Sequence, residues 1–203
     1  GLTFADGHIT KNGGYGGAIY QIDGNVTLTD VTFENNYARM GGAYFQKTGT
    51  SAFENVIFEN NTTNYYGGAF YCYSGTASFT GTNFENNSAK WGGAIYLTNT
   101  GNITLVGAKF NGTEADWGGA VHQSNGVLTA TGVSLTNNYA EWGGGFYIIG
   151  GTTDLNVSEY EAPATATRFG AALNATPKAK IRINGQDIAL LEYLDLDNFD
   201  DFI

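Results

Sequence analysis

Arg39, Lys90, Asp116 and Glu141 each stand immediately before the residue that precedes a Gly-Gly pair, so cations and carboxylates recur at one point of a repeating pattern. Glycoside hydrolysis needs two carboxylates across a cleft, one with a raised pKa, and lyase chemistry needs an Arg or Lys base beside acidic Ca²⁺ ligands. These four residues are the most enzyme-like set in the chain. Lys90 and Asp116 would be neighbours on adjacent repeats, however, and a surface ion pair worth roughly 0.3 kcal/mol accounts for them without catalysis. No catalytic residue is therefore expected. Glu34, Glu59 and Glu85 recur at a second point of the repeat, with no intervening basic residue in their column. Two carboxylates roughly 5 Å apart in water repel by only about 0.8 kcal/mol, so this set reads either as a solubilising edge or as a place where a divalent cation sits between rows. His8 and His122 have no Ser, Cys or second His at useful spacing and read as structural. Cys72 is the sole cysteine, which excludes an intrachain disulfide and the paired-ligand spacings of zinc sites. No cofactor and no resident metal are expected.

Aromatic residues offer the better binding chemistry. Tyr15, Met40, Tyr66, Trp91, Trp117 and Trp142 occupy the position just before successive Gly-Gly pairs. Three consecutive Trp in register would form a strip suited to sugar rings or to a protein partner, and equally suited to packing over the glycine corners. Three residues after each pair comes another set, Tyr20, Phe45, Tyr71, Tyr96, His122 and Tyr147. The expected ligand-binding residues are Tyr66, Trp91, Trp117, Trp142, Tyr71, Tyr96, His122 and Tyr147.

All of these assignments depend on the elements that position the residues, and those follow from an internal repeat. Gly-Gly recurs at Gly16, Gly41, Gly67, Gly92, Gly118 and Gly143, in steps of 25, 26, 25, 26 and 25 residues. A second marker keeps the same phase: Phe33-Glu34-Asn35-Asn36, Phe58-Glu59-Asn60-Asn61 and Phe84-Glu85-Asn86-Asn87, then the degraded Phe110 to Thr113 and Leu135 to Asn138. A helical repeat of this length needs long 3.6-periodic segments rich in Ala, Leu, Glu and Lys, and they are missing. The unit instead contains short β-branched and aromatic runs such as Val26-Thr27-Leu28-Thr29, bounded by Asn, Asp and Gly. Such a unit has room for three strands and three corners, one turn of a parallel β-solenoid. The prediction is an all-β, right-handed, single-stranded parallel β-helix of about six coils, which at roughly 4.8 Å per coil makes a rod of roughly 30 Å.

Stacking turns each repeat position into a column. Ile19, Tyr44, Phe70, Ile95, Val121 and Phe146 are placed inward with Val31 and Phe33 and their equivalents. Strand alternation then sends the Tyr20 to Tyr147 set outward as an exposed aromatic ladder. Asn35, Asn60, Asn86, Asn111 and Asn137 are expected to turn inward at a corner and form a ladder of stacked amides. The glycine pairs suit a corner that needs positive φ or close backbone approach.

These motifs resemble the Gly-Gly-Ala-Ile and Phe-x-x-Asn repeats of the chlamydial polymorphic outer-membrane proteins and of the adhesin-like surface proteins of methanogenic archaea. Gly16 to Ile19 and Gly92 to Ile95 match the first motif in full, and Phe33 to Asn36, Phe58 to Asn61 and Phe84 to Asn87 match the second. The resemblance covers roughly residues 1–150. It implies an extracellular or surface-anchored adhesin or stalk that mediates attachment to a host glycan or surface protein, and it implies no reaction. Two alternatives are a filament subunit that associates end to end and a β-helix carbohydrate-active enzyme.

The last quarter breaks the pattern. The repeat domain is expected over 1–158, followed over 159–203 by a linker, a β-hairpin and an acidic cap. Glu161 to Pro177, rich in Ala, Thr and Pro, reads as a linker or a loop over the last coil. Asn184-Gly185 between Ala179–Ile183 and Gln186–Leu191 is a strong hairpin signal. Asp195 to Asp201 is acidic but lacks the spacing of a Ca²⁺ loop. The formal net charge of −10 is spread over both parts, and the absence of basic patches argues against nucleic acid as a partner. No apolar run is long enough for membrane insertion. The opening Gly1-Leu2-Thr3-Phe4 is already strand-like and reads as the start of a piece cut from a longer precursor. Asn-x-Ser/Thr sequences at Asn25, Asn60, Asn61, Asn86, Asn102, Asn111, Asn156 and Asn174 offer glycosylation sites, of which Asn60, Asn86 and Asn111 are expected to be buried in the ladder.

Overall fold

The computed structural model describes residues 1–11, 13–156, 165–188 and 194–197. Every regular element in them is a β-strand, and the strands form a parallel solenoid of about seven turns. One face carries Leu2–Ala5, Val31–Glu34, Ile57–Glu59, Asn83–Glu85, Lys109–Asn111 and Ser134–Thr136. The second and third runs of each coil merge into a 14-stranded sheet, because Phe70–Thr80 and Ile95–Val106 continue through the bend between them. A narrower sheet of Glu114–Trp117, Tyr139–Trp142 and Thr165–Phe169 closes the cross-section, and isolated bridges extend that column back to Tyr15.

The register runs Ile19, Tyr44, Phe70, Ile95, Val121, Phe146 and Leu173, which numbers seven rungs. From Tyr44 to Leu173 this column is buried, as expected. Phe4, Phe33, Phe58, Phe84 and Phe110 stack with centroids 4.7–5.1 Å apart and planes within 13°. Each fully buried ring contributes about 2–3 kcal/mol of apolar burial, and the shared spacing of strand and ring stacking makes the column self-consistent.

The two glycines of each pair serve different needs. The first is left-handed, with φ between 58° and 70° from Gly16 through Gly143. The second lies so close to the next rung that a Cβ on Gly93 would run into the carbonyl oxygen of Gly119, and one on Gly68 into that of Gly93. An unstrained corner with any larger residue is excluded at either site.

The amide ladder is present, one residue later than expected. Asn35, Asn60, Asn86 and Asn137 adopt φ of 52–56° and are exposed, while Asn36, Asn61, Asn87 and Asn138 are buried. A left-handed residue at the corner resets the side-chain alternation, so the residue after it points inward. Asn36 Nδ2 donates to Asn61 Oδ1 at 2.9 Å, and Asn61 Nδ2 donates to Asn87 Oδ1 at 3.0 Å. Each carbonyl also accepts a backbone N–H of the preceding rung, as Asn61 Oδ1 does from Asn36. Asn111 belongs to neither set: it pairs in register with Glu85, Gly112 takes the left-handed corner at φ 65°, and Thr113 fills the ladder position. Asn60, Asn86 and Asn111 are thus exposed rather than buried, whereas Asn61 and Asn174 are buried.

Beyond residue 158 the solenoid continues. Thr165–Phe169 and Leu173–Ala175, within the stretch read as a linker, pair in parallel with Tyr139–Trp142 and Phe146–Ile148. Gly170, with φ 60°, repeats the glycine corner. Ala179–Ile183 adds a parallel strand against Gly151–Asn156, then turns at Asn184 (φ 48°) and Gly185 (φ 79°) into an antiparallel hairpin with Gln186–Ile188. That hairpin matches the sequence expectation through Ile188, and residues 189–191 of the expected second strand lie outside the described residues. Leu194–Leu196 lies antiparallel on Leu173–Ala175. The expected final residues of the acidic run, 198–201, lie outside the described residues.

Candidate functional site

The outer aromatic column is aligned rung by rung, Tyr15, Met40, Tyr66, Trp91, Trp117 and Trp142, as the repeat predicts. All six are half-buried. Tyr66 and Trp91 stack at 4.8 Å with an 18° interplanar angle, and Trp91 and Trp117 at 5.4 Å and 11°. Rings stacked along the axis cover one another's faces and turn their edges to solvent. The Lys90 ammonium lies 4.8 Å from the Trp91 centroid and 5.7 Å from that of Trp117, close enough for cation–π attraction. Lys90 therefore engages the indoles rather than the Asp116 carboxylate.

The second ring column is not the exposed ladder that alternation predicts. Its side chains do point away from the core, and Phe45–Tyr71, Tyr71–Tyr96, Tyr96–His122 and His122–Tyr147 follow at 4.7–5.2 Å. Yet Phe45, Tyr71 and Tyr96 are no more than 9 % exposed and His122 is 2 % exposed. The glycine corner is so tight that the outer column folds over the inner one: Tyr66 meets Tyr96 at 4.7 Å, and Tyr15, Met40, Tyr66 and Trp91 pack on this second cluster. Burial accordingly raises the Tyr71 and Tyr96 phenols above their ordinary range and pushes the His122 imidazole down to about 3. Of the eight expected binding residues, Tyr71, Tyr96 and His122 lie beneath the surface, and Tyr66, Trp91, Trp117, Trp142 and Tyr147 reach it.

The charged set is dispersed into separate contacts. Arg39 sits 4.8 Å over Tyr65, and Glu141 pairs with Arg168 at 2.5 Å. Arg168 also lies 6.0 Å from the Trp142 centroid. Glu34, Glu59 and Glu85 are in register on the first face, where Asn35 Nδ2 donates to Glu34 Oε1 at 3.3 Å. Among the described residues no group of three or more His, Cys, Asp or Glu side chains is placed to hold a metal ion.

The column ends in a cleft of about 630 Å³ spanning rungs five to seven, lined by Trp117, Glu141, Trp142, Tyr147, Arg168, Asn174 and Asp195. Its origin lies in the seventh rung. Asn174 stands in register with Tyr147, so an amide replaces the ring that earlier rungs place there. Asn174 Nδ2 donates to Asp195 Oδ1, and its own Oδ1 is buried without a partner. Sequence reasoning singled out Trp117, Trp142 and Tyr147 and weighed Glu141 as an enzyme-like group, but missed Arg168 and Asn174. The signal was Arg168-Phe169-Gly170-Ala171-Ala172-Leu173, a charged residue and an aromatic before a glycine corner with its second glycine replaced, 27 residues after Gly143.

A family model described as the right-handed β-helix region matches residues 1–161. No curated protein and no solved structure matches the chain.

Proposed function

The chain belongs to the right-handed β-helix family, and we propose that it is an extracellular attachment module, a stiff rod that presents an aromatic strip to a glycan or surface protein. The observation that carries this reading is the half-buried column Tyr66, Trp91, Trp117 and Trp142, held in register along one side of the rod. Aromatic surface anchored by a rigid backbone is what binding surfaces use, because little side-chain entropy is lost on contact. The resemblance of the repeats to those of surface adhesins supports the same reading.

A filament subunit would need unpaired strand edges at its ends. At the seventh rung, Leu173–Ala175 is paired with Leu194–Leu196 and Ala179–Ile183 with Gln186–Ile188, both antiparallel, which opposes parallel addition there. A carbohydrate-active enzyme would release product from a polysaccharide panel, and none is expected. The attachment reading is tested by probing a glycan array and whole cells with the labelled protein. Retention that is lost in Trp91→Ala/Trp117→Ala is expected, and silence on both supports would leave only a spacer.

A further inference from the structure

We infer that the cleft at rungs five to seven is a pyranose-binding site that accepts an uncharged, hydroxyl-rich sugar unit and discriminates against acidic sugars. This rests on the attachment reading and assigns it a location and a ligand class.

Trp91 covers one face of Trp117. The other described residues lining the cleft come from later rungs, so the cleft brings the Trp117 and Trp142 indoles together with the polar groups of the seventh rung. An indole face in such a cleft is what a pyranose stacks on, through its axial hydrogens.

The polar groups around that face are mainly acceptors. The Asn174 side chain is only 1 % exposed, and its amide orientation is dictated by Asp195, which can accept from Nδ2 but not donate to Oδ1. Oδ1 is left as a buried acceptor with no donor, which a native fold tolerates where a ligand supplies one. Asp195 and Glu141 add carboxylate oxygens, and Arg168 balances Glu141. Among the described lining residues one negative charge is then uncompensated beside the orphan acceptor. Hydroxyl hydrogens satisfy such a site, and a uronate or sialate carboxylate would meet repulsion and leave Oδ1 unsatisfied.

Calorimetric titration of the whole protein with cellotriose, mannotriose, N-acetylated chitotriose and trigalacturonate tests the inference. At least one uncharged trisaccharide is expected to bind, with trigalacturonate tenfold weaker or worse. Trp117→Ala should weaken binding at least tenfold, and Tyr73→Ala, an exposed ring on the 14-stranded sheet outside the aromatic columns, should change it less than twofold. Asn174→Leu should weaken binding about tenfold through loss of the orphan acceptor. Since it also removes the Nδ2 donor to Asp195, a thermal melt and circular dichroism must show it folded, and Asp195→Asn, which disturbs the same bond, should keep at least part of the affinity for the uncharged sugar. Asp195→Asn should narrow the discrimination against trigalacturonate two- to fivefold at low salt. Equal or tighter binding of trigalacturonate, or binding unaffected by Trp117→Ala and Asn174→Leu, overturns the site. If binding instead disappears with Tyr66→Ala or Trp91→Ala, the attachment reading stands and the cleft is the wrong place. If no trisaccharide binds while cells still retain the protein, the sugar assignment falls alone.

Discussion

His122 illustrates how one position can differ chemically from its column while keeping the shape. It stacks between Tyr96 and Tyr147, and its Nδ1 is buried without a partner. Desolvation pushes its pKa down to about 3 from 6.5, so the folded protein holds it neutral while the unfolded chain takes up a proton below pH 6.5. The unfolded state then binds more protons, and stability falls as pH drops from 6.5 toward 3, with a slope approaching about 1.4 kcal/mol per pH unit from this residue. His122→Tyr, the residue found on both neighbouring rungs, should remove that component. Urea denaturation of both proteins at pH 7 and pH 5 checks it: the variant should gain relative to the parent at the lower pH, and a constant difference would refute the assignment. The same scale explains the misplaced amide ladder. Phe-x-x-Asn makes a buried amide legible, but which of two adjacent Asn points inward depends on the φ of the first, and an Asn tolerates the left-handed region without announcing it in the sequence.

Glycine corners set the geometry of the elements, and they were legible because both glycines are required. Gly93→Ala should be severely destabilising, by about 3 kcal/mol or more, since its Cβ meets the backbone of Gly119 and not a movable side chain. Gly107→Ala, at a corner where a Cβ finds open space, should cost only about 1 kcal/mol for its φ of 60°. Thermal melts of the two variants give the comparison, and equal losses would show that close approach is not what the pair provides. What the spacing concealed is how near the corner brings its flanks. Alternation predicts which way Tyr71 and Tyr96 point, but not that Tyr66 and Trp91 close over them, because burial by a neighbouring column is a property of the bend angle. The seventh rung was hidden for a related reason. Ala171 and Ala172 follow Gly170 where earlier coils have a second glycine, so the marker was lost although the left-handed corner survives.

At the scale of the whole molecule, the rungs interact with their neighbours and little else, so stability is a sum of similar interfaces. Deleting residues 67–91 joins Tyr66 to Gly92 and keeps every column in phase. That variant should fold with the same strand-dominated circular dichroism and show a smaller urea m-value, because less surface is exposed on unfolding. Loss of the folded signal would mean that this coil nucleates the rest. The direction of the hydrogen bonds has a mechanical consequence. Between successive rungs they run along the rod, as in Ala69 N to Ala94 O at 3.0 Å, Asn60 N to Glu85 O at 3.0 Å and Gly67 N to Trp91 O at 2.9 Å on its different sides. A load spread over a whole coil is shared at each interface by all of these bonds together, whereas a load entering through one chain end falls first on the bonds of the terminal coil. Such a shaft is stiff under a load carried across its full width, and its vulnerable point under traction is the outermost coil, which has a neighbour on one side only.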